Sequence, residues 1–423
     1  MSKGYIAVQK SQPLIGEVCV SGSKNASLPI IASLILTSGK SVLTNIPNSE
    51  DIRQMILLLE SLGAEVEFDV ENSKLTIDTS NISSFKVSHQ IMNKMRASIL
   101  VMGPLLARFG KAVVASPGGC LIGSRPIDFH LRGFRRMGVQ TKNIGRFIEA
   151  TFDEKGSCLN RRITFEYPSV GATENLMMFS CFISGTTTIV NAAIEPEVLD
   201  LIYVLRKMGA KIETGPGLQI KIEGVNKLNP IEHDVIPDRL EAGSILLAAA
   251  ITCGEISIPN AQPEYMDVFL DKLREMGHEV VVGKGIKFKA TKYPQAVKFK
   301  TCPYPGFPTD LQAPMMAALS LANGISEVEE TVFENRLMHV EELKKMGAQI
   351  EIKEKNKAII RGVEELYGCE VIATDIRASC ALVLAGLAAQ DETKVVGINH
   401  WTRGYDRLEK KIGLIGGLLS KFS

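Results

Sequence analysis

The feature that most constrains the fold is a short phrase that returns at regular intervals along the chain. Leucine or phenylalanine, two charged or polar residues and a methionine or leucine precede a glycine. The phrase ends at five glycines about 70 residues apart, which are Gly63, Gly138, Gly209, Gly277 and Gly347. A weaker sixth copy surrounds Ile412 and Gly413. Because self-similarity at a fixed period indicates repeated supersecondary units, we predict six units.

Each unit repeats one order of elements, which is clearest in the second. The apolar stretch 97–110 (ASILVMGPLLARFG) predicts a buried helix that ends at Gly110. The segment 111–116 (KAVVAS) predicts a strand, and a loop, an amphipathic helix and further strands follow it. The predicted fold class is therefore α/β (α+β), built from six repeats of a βαβαββ-type unit.

The other predicted buried helices also start at polar residues, at positions 23–25, 169–173, 238–239, 309–310 and 375–377. Ser, Thr and Asp at such positions are ordinary N-caps. Lys24, Arg96 and Arg377 fit that role less well, because a cation opposes the positive end of a helix unless an anion binds there. The conflict recurs in several units, so it indicates a site for phosphate or carboxylate groups.

Length and charge exclude several classes of protein. The 423 residues are 45% hydrophobic, with a mean hydropathy of +0.10, which predicts a soluble chain with more than one core. A formal net charge of +1 disfavours nucleic acid as the partner. The first residues lack the apolar core of a signal peptide, and no apolar run approaches the roughly 18 residues that span a bilayer. We therefore expect a cytoplasmic protein without a membrane partner.

Eight cysteines include no CxxC pair, so we expect reduced thiols and no metal site. Cys181, Cys253 and Cys380 fall in apolar helical stretches, where we expect them to be buried. Cys120 differs, because it lies in the glycine-rich segment 117–126 (PGGCLIGSRP), five residues before Arg125. Exposure and a nearby cation lower a thiol pKa and suit a nucleophile or proton donor, although a loop cysteine without a role fits the same local pattern.

This loop, followed by 125–128 (RPID), resembles the signature loop of the UDP-N-acetylglucosamine 1-carboxyvinyltransferases, which are enolpyruvyl transferases. The similarity continues in the same order from about residue 5 to about residue 410. It rests on segments 21–26, 95–98, 168–175, 237–239, 307–310, 332–336, 374–379 and 403–405. The ordered set is more specific than any one of these motifs.

The resemblance implies two domains, each with three units in an inverted (inside-out) α/β barrel. One domain would span 24–236, and the other would combine 1–23 with 237–423. Substrates would bind in a cleft between the domains, whose closure would exclude water. The implied reaction transfers the enolpyruvyl group of phosphoenolpyruvate to the 3-hydroxyl of UDP-N-acetylglucosamine, through a tetrahedral intermediate. Phosphoenolpyruvate is a co-substrate in it, so no cofactor and no obligate protein partner are implied.

The resemblance also implies roles for individual residues. Cys120 matches the proton donor near C3 of phosphoenolpyruvate, which the epoxide fosfomycin also alkylates, and Asp310 matches the acceptor of the sugar 3-hydroxyl proton. The implied phosphoenolpyruvate partners are Lys24, Asn25, Arg125, Arg336, Arg377 and Arg403. The implied partners of UDP-N-acetylglucosamine are Asn25, Arg96, Arg125, Pro126, Ile127, Asp128, Phe129, Ser169, Val170, Gly171, Asp310 and Val332.

Three features depart from the family pattern. Ile194 stands where a cation is frequent, Thr402 stands where an aspartate is usual, and the tail 413–423 lacks the expected pattern of a final strand. The second could loosen the orientation of Arg403, and the third puts the packing of the last unit in doubt. None of the three removes a residue with an implied chemical role.

Three other functions stay open at this point. The sister enzyme that acts on shikimate 3-phosphate shares the fold and the enolpyruvyl donor, but Cys120 and the RPID segment disfavour it. A terminal phosphate cyclase of related fold is disfavoured by the net charge and by the lack of a basic stretch with interleaved aromatic residues. A non-catalytic paralogue that senses the nucleotide sugar is disfavoured by the presence of both Cys120 and Asp310.

Overall fold

The computed structural model describes residues 4–87, 96–115, 127–153 and 160–422. These residues divide into two compact units. The first unit contains the described residues between Gly22 and Ile236, and the second contains residues 4–21 with the described part of 237–423. Each unit has its own hydrophobic core.

Buried and amphipathic helices alternate along both units. In the first unit the helices are Lys24–Ser33 (α1), Glu50–Leu62 (α2), Met102–Phe109 (α3), Asp128–Arg136 (α4), Val170–Ser180 (α5) and Pro196–Met208 (α6). In the second unit they are Arg239–Ile251 (α7), Asp267–Glu275 (α8), Gln312–Leu319 (α9), Val340–Lys345 (α10), Ile376–Ala388 (α11), Ile398–Gly404 (α12) and Leu408–Leu414 (α13). Short 3₁₀ turns occur at Leu34–Leu36, Arg96–Val101, Pro263–Tyr265 and Thr309–Leu311.

Strands connect these helices and form three sheets in each unit. In the first unit they are Lys40–Thr44 (β3), Glu65–Asp69 (β4), Lys74–Asp78 (β5), Lys111–Ala115 (β6), Gln140–Ile144 (β7), Phe147–Thr151 (β8), Asn160–Thr164 (β9), Thr186–Val190 (β10), Lys211–Gly215 (β11), Gln219–Glu223 (β12) and Glu232–Asp234 (β13). In the second unit they are Tyr5–Gln9 (β1), Ile15–Glu17 (β2), Glu255–Ile258 (β14), Glu279–Val282 (β15), Ile286–Lys289 (β16), Lys298–Lys300 (β17), Ile325–Glu329 (β18), Gln349–Lys353 (β19), Lys357–Arg361 (β20), Glu370–Ile372 (β21), Thr393–Val396 (β22) and Leu418–Phe422 (β23).

Five sheets share one topology, in which a short outer strand runs parallel to its neighbour and the other pairs are antiparallel. Their orders are β13-β3-β5-β4, β9-β10-β12-β11, β2-β14-β16-β15, β17-β18-β20-β19 and β21-β22-β1-β23. The remaining sheet, β6-β8-β7, has a single parallel bridge, Lys86 to Val113, in place of the outer strand. In the sheet β21-β22-β1-β23, the third strand is β1, from the N-terminal end of the chain. In the other four sheets the third strand belongs to the same repeat as its neighbours.

The two kinds of helix follow from their sequences. All thirteen residues of α7 are buried, and its alanines and leucines allow close packing on every side. Helices α2 and α6 bury one face and end at Gly63 and Gly209, whose φ angles are 109° and 112°. A Cβ atom disfavours that backbone conformation, which explains why the repeated phrase ends in glycine.

The structure confirms the predicted α/β class and refines three expectations. The predicted helix 97–110 has a 3₁₀ first half, Arg96–Val101, before α3 begins at Met102. The tail forms β23, which pairs with β1, so the last unit does have a final strand. The expectation that Cys253 is buried in a helix is wrong, because α7 ends at Ile251 and Cys253 is exposed with φ 56°.

Candidate active site

The Asp310 carboxylate of the second unit lies between two buried guanidinium groups. Arg336 Nη2 donates to Oδ1 at 2.7 Å, and Arg377 Nη2 donates to Oδ2 at 2.9 Å. The two arginine side chains are 2% and 6% accessible, whereas the Asp310 side chain keeps 25% of its surface accessible. Charge-assisted bonds on both oxygens fix the carboxylate plane. An oriented carboxylate that a ligand can reach is suited to act as a general base.

Three chain segments bring these side chains together. Asp310 lies in the 3₁₀ turn before α9, Arg336 lies in the loop before α10, and Arg377 is the second residue of α11. Asp375 caps α11, because its carboxylate accepts the backbone N–H groups of Arg377 at 2.8 Å and Ala378 at 3.1 Å. This cap offsets the unfavourable position of a cation at the positive end of the helix.

A buried glutamate, Glu330, positions the loop that follows β18. Its Oε1 accepts the backbone N–H groups of Val332 at 2.8 Å and Phe333 at 3.0 Å, and its Oε2 accepts the Thr309 hydroxyl at 2.9 Å. Glu330 is 2% exposed. It therefore links Val332, a predicted nucleotide-sugar partner, to the turn that carries Asp310.

Arg403 is half-buried in the last turn of α12. Trp401 of the same helix is 1% exposed, and its indole N–H donates to Glu409 Oε2 of α13 at 2.8 Å. Thr402, at one of the positions that depart from the family pattern, donates its hydroxyl to the Asn399 carbonyl at 3.4 Å. The buried indole thus holds the helix that carries Arg403, while Thr402 makes a contact local to that helix.

Lys24 of the first unit begins α1 and is 7% exposed. Its Nζ lies 3.4 Å from Asp51 Oδ2 of α2. Ser23 caps α1 through one long bond, from the Ala26 N–H at 3.3 Å. Asp51 offsets part of the cost of a buried ammonium group at the positive end of a helix, and an anionic ligand at this helix start would offset more of it. Asn25 follows Lys24 and is half-buried.

Three glutamates lie close together in the first unit. Glu174 of α5 and Glu197 of α6 are each 3% exposed, and Glu195 precedes α6. Burial, followed by the charges of Glu197 and Glu195, raises the pKa of Glu174 well above its usual value. Glu174 therefore keeps its proton well above the pH at which glutamate ordinarily ionises. Ile194, the residue before Glu195, contributes no positive charge here.

Ser169, Val170 and Gly171 form the start of α5. Within the described first turn of this helix, the Ser169 side chain makes no capping hydrogen bond. A Ser, Thr or Asp cap normally accepts the second or third N–H group of the helix. This helix start therefore keeps backbone donors for another acceptor, and phosphate oxygens are suitable acceptors at such a position.

Asn175 joins α5 to the neighbouring helices of the first unit. Its Oδ1 accepts the Gly103 N–H at 2.6 Å, and its Nδ2 donates to the Ile99 carbonyl at 2.7 Å. Nδ2 also lies 3.1 Å from His130 Nδ1. Burial lowers the pKa of His130 to about 4, so the ring is neutral and Nδ1 can accept. Asn175 thereby fixes the start of α5 relative to α4.

The structure brings only some of the predicted site residues into contact. Asp310, Arg336 and Arg377 form one cluster in the second unit, where Val332 and Arg403 also lie. The first unit contains Lys24, Asn25, Ile127, Asp128, Phe129, Ser169, Val170 and Gly171. Cys120, Arg125 and Pro126 lie outside the described residues, as does the side chain of Arg96. The roles of all these residues remain predictions.

Glu330, Asn175 and Tyr405 were given no individual role from the sequence, although Asn175 and Tyr405 lie in segments 168–175 and 403–405, which carry the resemblance. Asn175 alone of the three is a polar side chain in a predominantly apolar segment, 170–180, and that signal could have marked it. Their partners, however, come from distant parts of the chain. The sequence alone therefore gives no indication of what each of them positions.

The described parts of the chain are residues 4–87, 96–115, 127–153 and 160–422. Among those residues, no group of three or more His, Cys, Asp or Glu side chains could hold a metal ion. Nor does any helix within them have the length and apolar character needed to cross a membrane. The expectation that the protein needs no cofactor remains a prediction.

Comparisons with known proteins agree with this architecture. The family model described as EPSP synthase (3-phosphoshikimate 1-carboxyvinyltransferase) matches residues 8–412. Among solved structures, the enolpyruvyl transferase NikO from Streptomyces tendae aligns with a TM-score of 0.90 at 22% identity, covering 100% of this chain and 99% of its own. EPSP synthase from Acinetobacter baumannii aligns with a TM-score of 0.76 at 18% identity, covering 99% and 100%. At these identities the structures establish the fold.

The fold and the family match define the class of protein, which is an enolpyruvyl transferase. Two relatives named UDP-N-acetylglucosamine 1-carboxyvinyltransferase are similar over nearly their whole length. The one from Caldanaerobacter subterraneus subsp. tengcongensis, numbered 1, is 47% identical over 98% of both chains, and the one from Geotalea uraniireducens is 46% identical over 97% of both. Within its class, the chain belongs to the UDP-N-acetylglucosamine 1-carboxyvinyltransferase family, which confirms the predicted resemblance.

Proposed function

We propose that this protein transfers the enolpyruvyl group of phosphoenolpyruvate to the 3-hydroxyl of the N-acetylglucosamine unit of UDP-N-acetylglucosamine, with release of phosphate. The observation that carries the proposal is the identity of 46% and 47%, over nearly the full length, to proteins named for that chemistry. The Asp310 carboxylate supports it, since removing a proton from a sugar hydroxyl requires an oriented base.

The proposed reaction has an addition step and an elimination step. In the addition, the 3-hydroxyl oxygen bonds to C2 of phosphoenolpyruvate, Asp310 accepts the hydroxyl proton, and Cys120 donates a proton to C3. In the elimination, the bond from C2 to the phosphate oxygen breaks, C3 returns a proton to the Cys120 thiolate, and the leaving phosphate takes up the proton held by Asp310. The products are the enolpyruvyl ether and inorganic phosphate, so atoms and protons balance.

In this proposal, positively charged side chains hold phosphoenolpyruvate. Lys24, Arg125 and Arg403 are assigned to the phosphate, and Arg336 and Arg377 to the carboxylate of phosphoenolpyruvate. Preorganised positive groups stabilise charge that develops in a transition state, because they need no reorganisation when the reaction occurs. The other assigned residues, including Asn25, Arg96, Ile127 and the start of α5, would hold the nucleotide sugar.

The proposed reaction is the first committed step in making peptidoglycan precursors. On this basis we propose a cytoplasmic enzyme of cell-wall biogenesis, on which cell shape and division depend. Its partners would be the two small-molecule substrates, without a cofactor, nucleic acid, membrane or obligate protein partner.

An assay of phosphate release tests the proposal directly. The purified chain is incubated with phosphoenolpyruvate and either UDP-N-acetylglucosamine or shikimate 3-phosphate, and Asp310→Asn serves as the control for contaminating activity. We expect release only with the nucleotide sugar. Equal release with shikimate 3-phosphate would favour the sister activity, and tight binding of the nucleotide sugar without any release would favour a sensor.

A second experiment tests the role of Cys120. We expect fosfomycin to alkylate Cys120, because an epoxide phosphonate needs both a reactive thiol and cations to hold it. Cys181 and Cys380 are poor competitors, since burial raises the pKa of Cys181 to about 12 and also raises that of Cys380. Cys19 and Cys253 are exposed and are the internal controls. Peptide mapping that finds the adduct on either control would contradict the assignment, as would full inactivation of Cys120→Asp.

A further inference from the structure

Tyr405 is a buried aromatic residue directly after α12, and it contacts the cluster around Asp310. It is 4% exposed, and its ring packs against Trp401 with 5.2 Å between centroids. The guanidinium carbon of Arg377 lies 5.5 Å from the centre of the Tyr405 ring. Packing alone would require only the ring, so the hydroxyl group needs a separate explanation.

The hydrogen bonds of that hydroxyl have a defined direction. Arg377 Nη1 lies 3.0 Å from the Tyr405 oxygen, and a guanidinium group only donates, so the tyrosine oxygen accepts. The Tyr405 oxygen also lies 3.3 Å from Ser244 Oγ, and Ser244 donates its own hydrogen to the Leu240 carbonyl at 2.8 Å. The Tyr405 hydroxyl therefore has Ser244 of α7 as an acceptor for its proton, and Cys380 of α11 is a second side-chain hydrogen-bond partner of the same hydroxyl.

The Tyr405 hydroxyl stays protonated in this environment. Burial, followed by the neighbouring Cys380, raises the pKa of Tyr405 well above its ordinary value. The hydroxyl can therefore donate to Ser244 and accept from Arg377 at the same time.

Two of the three guanidinium nitrogens of Arg377 thus have fixed partners, with Nη1 on Tyr405 and Nη2 on Asp310. Two contacts on one rigid plane determine its orientation, whereas one contact leaves it free to rotate. The Asp310 carboxylate depends on that plane for the position of Oδ2. The chain of contacts runs from α7 through Ser244, Tyr405 and Arg377 to Asp310.

We propose that Tyr405 is a positioning residue for the transfer reaction, which it serves by holding Arg377 in the orientation that aligns Asp310. This inference rests on the proposed function and adds a specific residue to it. Tyr405 bonds Arg377, which in turn bonds Asp310, so Tyr405 acts through Arg377. It also lies two residues after Arg403, so the same segment carries an assigned phosphate partner and the support for the base.

The variant Tyr405→Phe tests the proposal because it removes the hydroxyl and keeps the ring. We expect kcat to fall about 10-fold to 100-fold, the scale of a misaligned catalytic group. The KM for UDP-N-acetylglucosamine should change less than about twofold, because the hydroxyl does not contact the assigned sugar partners. Ser244→Ala should lower kcat in the same direction by a smaller factor, since it removes one hydrogen-bond partner of the tyrosine hydroxyl and leaves Cys380 in place.

Ser320→Ala is the matched control. Ser320 is 0% exposed and donates to the Met316 carbonyl at 2.9 Å, just as Ser244 donates to the carbonyl four residues before it. The control loses an equivalent buried hydroxyl in the same unit without a contact to Tyr405. We expect Ser320→Ala to keep the kcat of the wild type, even if its melting temperature falls by as much as that of Ser244→Ala.

The outcomes separate this inference from the proposed function. If the wild-type chain releases no phosphate, the proposed function fails. If the wild type is active and Tyr405→Phe keeps its kcat, the positioning role is wrong. An equal loss of kcat in Ser244→Ala and Ser320→Ala would also overturn it, because the effect would then be general to the packing of the unit. Should Tyr405→Phe not fold, the comparison of the two serine variants still decides the question.

Discussion

Two buried helices of the first unit and two of the second begin in different ways, while α9 of the second unit has no side-chain cap. In the second unit, Asp238 and Asp375 each accept two backbone N–H groups, at 2.8 and 3.0 Å for α7 and at 2.8 and 3.1 Å for α11. In the first unit, Ser23 accepts one N–H group at 3.3 Å, and Ser169 makes no side-chain cap in the described first turn of α5. At these four helix starts, the side-chain caps therefore bond more of the backbone N–H groups in the second unit than in the first.

The charged side chains near these helix starts also differ between the two units. Two arginines of the second unit point at one carboxylate, Asp310, which suits the task of orienting a base. Lys24 of the first unit lies beside a helix start with a weak cap, which suits the binding of an anion. Repeats of one architecture thus carry different arrangements of charge near the starts of their buried helices.

The largest effect should come from the second unit, at Asp310. Asp310→Asn keeps the shape of the side chain and removes the base, so we expect kcat to fall about 10²-fold to 10⁴-fold. Asp51→Asn changes the carboxylate that faces Lys24 in the first unit, and it should lower kcat by less than about 10-fold. Phosphate release at saturating substrate measures both. Equal losses in the two variants would remove the distinction between the units.

The next effect should come from Lys24. Lys24→Met removes an assigned phosphate partner, and we expect kcat/KM for phosphoenolpyruvate to fall about 100-fold, as when a charged hydrogen bond is lost from a closed site. Lys411→Met is the control, because Lys411 of the second unit also contacts a buried carboxylate, that of Glu241. Steady-state kinetics should show nearly normal kcat/KM for this control, even though its stability falls. The opposite ranking would contradict the assignment of Lys24 to the donor.

Glu174 should make the stability of the protein depend on pH. Its folded-state pKa is raised, so its contribution is fully present below the unfolded pKa and is lost as pH rises towards the folded value. Glu174→Gln does not titrate, so it should become more stable relative to the wild type as pH rises above about 4.5. The slope is at most about 1.4 kcal/mol per pH unit.

Melting temperatures of the Glu174 variant at several pH values between 5 and 8 test this expectation. Glu241→Gln is the matched control in the second unit. Burial raises the pKa of Glu241, but the charge of Lys411 opposes the shift, so the dependence on pH should be weaker. A difference between Glu174→Gln and the wild type that does not change with pH would show that Glu174 is ionised in the folded protein.

The smallest effect should come from the helix caps. Asp375→Ala removes two capping bonds and should lower the free energy of unfolding by about 1–2 kcal/mol. Ser169→Ala should change it by less than about 0.5 kcal/mol, because that side chain makes no cap in the described first turn of α5. Chemical denaturation measures both values. A loss at Ser169 as large as the loss at Asp375 would contradict the difference between the two units.

Local features of the fold were predictable from the sequence, whereas pairings across long distances were not. The repeated glycines and the polar helix starts gave the six units and the first residues of α1, α5, α7 and α11. The partner of the final strand was not predictable, because β23 pairs with β1, and the two are separated by almost the whole chain. The alternation of side chains along a strand does not identify its neighbour.

The same limit applies to the candidate site. Asp310, Arg336 and Arg377 were identified by motif, yet their mutual hydrogen bonds depend on how α9, α11 and the loop after β18 pack. Glu330 and Tyr405 were given no role, because a polar side chain in the sequence shows only that some partner exists.

The pairing of β1 with β23 has a further consequence. Tyr5 and Phe422 are directly opposite each other in the antiparallel register, and their rings stack with 4.8 Å between centroids. A turn of about two to five residues is enough to join two antiparallel strands at such a position. A circularly permuted polypeptide, closed there and reopened at the exposed residues Asn226 and Lys227, would retain every strand pair described above. The sheets that form would therefore not depend on which repeat comes first along the polypeptide.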